Sequence, residues 1–230
     1  MPNTVWPSIR SHVARVTKLD ACGAPVIGPK STIVSDGHIS IKNSPQYEDG
    51  EESAPKNAAG KIMFVDKPRD ELKYFNVEIV FAKVDPELFN MTTGQPIVLD
   101  YNGNATGIRI GATIDTNFAL ETWTDVPGTA CGPDGKLFGY ALLPFITGGR
   151  LGDFSFENGL ANFTITGHTN AMSPWGKGPY DVVLNEAVAP ATEPAAGPLL
   201  TDIDPDQHIH MDPTTIPYPA VTNGAIALAA

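Results

Sequence analysis

Cysteine is almost absent from this chain, with only Cys22 and Cys131 among 230 residues. They lie far apart, each before a glycine, with no Cys-x-x-Cys pair. They read as reduced turn residues, not as a disulfide frame or a metal centre. A chain of this size buries about 70% of its unfolded surface, so no covalent staple is needed. Long apolar runs are missing as well, and no membrane-spanning helix is expected. The start, from Met1 to Trp6, lacks the basic and apolar regions of a secretion signal. The expectation is a protein made and folded in a cytoplasm. On that route the sequons at Asn90, Asn104 and Asn162 carry no glycan. Positive charge is scarce: the net charge is −11, and residues 178–230 hold seven acids and no Lys or Arg. That excludes a basic footprint for gripping nucleic acid.

Catalytic patterns are lacking too. No Gly-x-Ser-x-Gly or His-Glu-x-x-His occurs, and the acids form no obvious catalytic pair, so neither an enzyme nor a cofactor is expected. Asp100 to Asn104 begins like a calcium loop, but Ala105 replaces the required glycine and Gly111 stands where the bidentate acid belongs; a hairpin turn is expected. His208 and His210, flanked by Asp206 and Asp212, come nearest to a metal site but want a third clear ligand. Gly148-Gly149 and Gly176-Lys177-Gly178 match no phosphate-cradling pattern and read as turns.

What is present is strand punctuation, with 22 glycines and 21 prolines. Phe75, Val77, Ile79 and Phe81 alternate with Asn76 and Glu78 as on a half-buried strand. The pattern then changes to a helix over 86–93: Asp85 suits the N-cap, Pro86 the first helical position, and Gly94 the residue just past the end. Further strands are expected at 8–19 (an outer strand), Ile33–Ile41, Lys61–Asp66, Ile97–Tyr101, Ile108–Ile114, Phe118–Thr124, Leu137–Phe145, Phe154–Phe156, Ala161–Thr166 and Tyr180–Leu184. Asn102-Gly103 marks a hairpin. A spacing of about 10 residues argues for a mainly β sandwich or open barrel. Residues 43–60 form a long polar, acidic loop, of a length that is functional or disordered in a compact domain. Beyond 186 the composition turns to Pro, Ala, Thr and Asp, with seven prolines between 190 and 219. The expected division is therefore a domain over 1–186 and an extension over 187–230.

The strand-to-helix unit at 74–94, Phe118-Ala-Leu-Glu-Thr-Trp-Thr-Asp125, the run from Tyr140 to Asp153, and Trp175-Gly-Lys-Gly-Pro-Tyr-Asp-Val182 occur in one order. With them the chain resembles the major tail proteins that build the tail tube of long, non-contractile-tailed bacteriophages, particularly those infecting actinobacteria. The likeness covers about half the chain, 74–184, and includes no catalytic motif. It implies a β-sandwich with one flanking helix, polymerising as stacked hexameric rings around the path of double-stranded DNA. The partners implied are the chain itself, tail tip and tail terminator proteins, and a tape measure protein inside the tube. Assembly would take place in the bacterial host cytoplasm, with the protein ending in the virion tail. The alternative is a capsid-decorating or host-binding phage β-sandwich.

On this reading Glu78 and Glu121 are candidates to line the lumen, where acids repel phosphates and let DNA slide. Tyr47, Glu48, Asp49, Glu51 and Glu52 are candidates for an arm reaching the next ring. Leu199, Leu200, Ile216, Tyr218 and Val221 are candidates for an extended strap over a neighbouring subunit. A small second domain is the alternative for that tail.

Overall fold

A computed structural model describes residues 10–83, 85–111, 114–127, 136–154, 162–187 and 193–229. Among them the chain forms β1 (Ser11–Lys18), β2 (Gly28–Ser35), β3 (His38–Glu48), β4 (Glu71–Phe81), α1 (Pro86–Thr93), β5 (Ile97–Leu99), β6 (Ala105–Ile108), β7 (Asn117–Asp125), β8 (Phe138–Leu151), β9 (Phe163–Thr169), β10 (Val183–Asn185), β11 (Ala195–Gly197), β12 (His210–Thr214) and β13 (Ile226–Leu228). The fold is mainly β with one short helix, as the sequence indicates. None of the described helix is long and apolar enough to cross a membrane.

The main sheet runs β13-β2-β1-β7-β8-β9-β4-β3, and β12 pairs with β8 from the side. All its pairings are antiparallel. Four strands separate β1 from β3 in this order, yet Ser11 Oγ lies 2.6 Å from His38 Nε2. The sheet therefore curls back on itself. Its concave side holds one core, in which Val16, Ile33, Ile79, Phe81, Leu120 and Ile146 meet Leu88 and Phe89 of α1. A second core lies on the other side of β7 and β8, where Trp123, Tyr140 and Phe145 pack against Trp175, Val182, Leu199 and Ile203. Strands β7 and β8 are thus buried on both faces, which explains why 138–146 reads as a nearly unbroken apolar run.

Local chemistry follows the expected rules. Asp85 caps α1 by accepting from Glu87 N at 2.8 Å, and Gly94 (φ 71°) closes it by donating to Asn90 O. Gly94 leaves no room for a Cβ against Ile114 and Thr116. Prolines in strands occur where no ladder N–H is required. Pro45 is on the edge strand β3 and Pro213 on β12, while Pro144 falls at the register shift opposite Phe118–Leu120. Gly148-Gly149 is not a turn but an irregularity within β8, where the register to β9 shifts between Thr147 and Arg150. A Cβ on Gly149 would lie 1.8 Å from Thr92 O, so glycine there admits the end of the helix.

Several expectations need correction. The strand at 8–19 is not an outer one: β1 pairs with both β2 and β7, and Val13 to Thr17 are buried on both faces, which hides the alternation. Ile33–Ile41 divides into β2 and β3 at a turn through Gly37. Lys61–Asp66 makes only isolated bridges, from Ile62 to Lys56 and from Asp66 to Ser53. The partner of β5 is β6, which ends at Ile108, earlier than the expected 108–114. Cys131 and most of Phe154–Phe156 lie outside the described residues.

Candidate functional site

Among the described residues, neither core cluster lies on the convex side of β3, β4, β9 and the end of β8. Val77, Ile79 and Phe81 of β4 point into the core, so Asn76 and Glu78 must point out. The register places Lys42 opposite Glu78, Glu78 opposite Thr166, and Thr166 opposite Arg150; Ser44, Asn76, His168 and Thr147 form the adjacent row. The face is therefore built of short polar side chains with Lys42, Glu78, Arg150 and His168 among them. A shallow depression of about 360 Å³ over Gly148 is lined by Ser44, Asn76, Glu78, Arg150, Thr166 and His168. Among the described strands β3 is the last of the sheet, with one side of its 11-residue ladder unpaired.

Residues 43–60 are not a simple loop. Residues 43–48 continue β3 against β4, and the chain beyond them forms an irregular hairpin. Ser53 and Asp66 exchange both backbone hydrogen bonds, Met63 N donates to Pro55 O, and Asn57 closes the turn by accepting from Ala59 N and Lys61 N. Lys73 pairs with Glu48 at its root. Of the arm candidates, Tyr47, Glu48, Asp49, Glu51 and Glu52 are all exposed on the first leg. Sequence reasoning missed the second leg, where Ile62, Met63, Phe64 and Val65 are 56–66% exposed. The signal is an apolar run beside a polar loop, which by pattern alone reads as a strand.

Glu121 faces no channel. It is fully buried and holds Arg15 through two hydrogen bonds of 2.5 and 2.6 Å, while Tyr140 Oη donates to its Oε1 at 2.7 Å. The Arg15 guanidinium also lies 3.3 Å from the centre of the Tyr180 ring. Burial works against the Arg15 charge, but the Glu121 carboxylate prevails and raises its pKa. Burial and the same carboxylate push the Tyr140 hydroxyl well above its ordinary value. Glu121 thus leaves the lumen candidates because β7 is interior and its outer face lies under the second core. Glu78 is exposed, and it stands on the open polar face.

The segment beyond 186 folds along its own chain. Strand β11 pairs with β10, β12 with β8 and β13 with β2, so the expected boundary at 186 cuts one strand pair and separates two more strands from the sheet they complete. Leu199 is buried in the second core; Leu200, Tyr218 and Val221 are exposed and Ile216 is half-buried. Tyr218 stacks on His12, which bonds Asp125 at 2.5 Å. Farther on, Ala225 N donates to Glu87 Oε2, and Lys30 Nζ to Glu87 Oε1. Although burial pushes the Glu87 carboxyl up, these two donors bring it below its ordinary value. His208 uses Nδ1 on Thr169 Oγ1, and His210 packs against Tyr140. Among the described residues no three His, Cys, Asp or Glu side chains gather as metal ligands. Asp100 accepts from Asn102 N and Asn104 N and closes the β5–β6 turn.

No protein-family model matches the chain, and no curated protein matches it in sequence.

Proposed function

We propose that this chain is a structural, self-assembling subunit whose function resides in its surfaces. More particularly, we read it as a tail tube protein: six copies close into a ring, and rings stack into a conduit for double-stranded DNA. The observation that carries the reading is the four-stranded face of β8, β9, β4 and β3, apolar and packed on one side, polar and uncovered on the other, and ending in a long open edge. Six such faces make a 24-stranded barrel. Strands ~4.8 Å apart and tilted ~40° give a backbone diameter of roughly 48 Å, and side chains narrow it to about 38 Å, wide enough for a duplex. The resemblance of the strand-to-helix unit and the segments at 118–125, 140–153 and 175–182 supports the same assignment. In this arrangement Glu78 lines the channel with Lys42, Arg150 and His168. With Lys42 and Arg150 against Glu78 the wall is then slightly basic instead of acidic, and its short Ser, Thr and Asn side chains keep the bore smooth.

The hairpin at 49–70 supplies contacts between rings, since stacking needs groups that project outside the barrel. Tail tip, terminator and tape measure proteins are the partners this assembly requires. Electron microscopy of the purified protein tests the reading: rings or tubes with sixfold end views are expected after concentration or nucleation. A protein that stays monomeric even with a tail-tip nucleus is no tube subunit. A decorating or host-binding module would remain a monomer or trimer.

A further inference from the structure

Apart from the arm, the chain builds a cavity that the tube reading leaves unused. The arm joins the body at Glu71, the first residue of β4, whereas the cavity lies among the end of β1, the start of β2, α1 and the start of β7. Its volume is about 620 Å³, and Leu19, Ala21, Pro29, Met91 and Ile97 supply its apolar lining. The helix α1, the start of β7 and the end of β1 hold these residues in place, so the cavity is a preformed part of the rigid body.

We propose that this cavity is the socket for the arm of a second copy, taking the apolar run Ile62–Val65; this rests on the tube reading. Three observations point to that occupant. The arm carries four consecutive apolar side chains that stay more than half exposed among the described residues. A run of exposed apolar side chains of this kind marks a surface made for a partner. Second, the donor and the receptor surface are different parts of the chain and share no residue. A contact between them is heterologous and repeats without closing on a pair, which is what axial stacking of rings requires. Third, the charges match. Lys30 is already neutralised by Glu87, leaving Lys18, Asp20 and Asp115 around the socket, a net acidic rim. The turn of the arm carries Lys56 and Lys61, both exposed. Each contact is small, but a ring makes six in parallel, and the linked contacts reinforce one another.

The test places a photoreactive benzoylphenylalanine at position 64 of the full chain and irradiates the assembled protein. The expected product is a ladder of covalent multimers whose crosslinks map to residues 18–30 or 87–97 of the neighbour. Phe64→Asp, at a side chain outside both cores, should raise the concentration needed for assembly by at least about tenfold, the effect of losing one anchor per contact. Charge reversal at Lys61→Glu should weaken assembly and Asp115→Lys should restore it. Normal tubes whose crosslinks map elsewhere, or unchanged assembly by Phe64→Asp, overturn the socket and leave the tube intact. Failure of the unaltered protein to form any tube overturns both.

Discussion

Arg15 and Glu121 form the one fully enclosed ion pair among the described residues, and its two ends are not equivalent to surface charges. Glu121 satisfies the guanidinium on both oxygens and also receives Tyr140, so little of its charge is left unpartnered. Removing one partner strands the other in a low-dielectric interior, which costs about 3–5 kcal/mol. Glu121→Gln should therefore lower the urea midpoint by that order with an unchanged slope, whereas Glu78→Gln on the open face should stay within about 0.5 kcal/mol. Histidine adds a pH dependence. Burial lowers the pKa of His38, His208 and His210. Unfolded imidazoles take up protons near pH 6.5, and in the folded chain these rings do so only at lower pH. Between those values the unfolded state binds more protons, so stability present above about pH 6.5 is lost on acidification. The melting temperature should fall between pH 7.5 and pH 5.5, and a His208→Gln/His210→Gln variant should show a shallower fall.

Among elements, the segment beyond 186 departs most from its composition. Its prolines and acids suggest a disordered or extended strap, but its few apolar residues are placed where the sheet needs them. Leu199 and Ile203 complete the second core, and β12 and β13 cover strand edges. Truncation after Glu186 should consequently damage the fold itself, not only assembly, since it removes Leu199, Ile203 and three strands. Loss of a buried Leu alone costs about 2–5 kcal/mol. Deletion of 222–229 is expected to be milder, removing β13 with Leu228, the Ala225–Glu87 bond and the contact of Ala225 with the edge of the first core, while leaving the second core whole. Circular dichroism and thermal melting of the two truncations check this: equal melting temperatures for the long truncation and the full chain would show the tail to be dispensable.

At the scale of the whole molecule, the curled sheet separates a packed side from an exposed one and sends a single arm away from the body. If the exposed side lines a tube, its balance of Lys42 and Arg150 against Glu78 sets the friction on DNA. Adding charge there should not disturb the fold, because these side chains have no core contacts. Glu78→Lys should leave tubes intact and slow DNA ejection, more at low salt, where screening is weakest. Ejection at the unaltered rate in low salt would mean that this face is not the channel wall.

The sequence by itself determined what depends on near neighbours: the helix 86–93 with both caps, the turn around Asn102-Gly103, and the inward face of β4. Each follows from backbone sterics or from one alternation and needs no distant contact. It also carried the mainly β class, through the spacing of glycine, proline and apolar runs. Only the tertiary structure decided which face and which edge each strand presents. Glu121 and Glu78 occupy similar places in similar alternating strands, yet one is buried and the other exposed. The difference is the second core laid over β7 by residues more than fifty positions later, and nothing local to β7 encodes it. The same holds for 8–19, an interior strand because of its pairing, and for Ile62–Val65, apolar yet exposed because none of the core clusters among the described residues includes them.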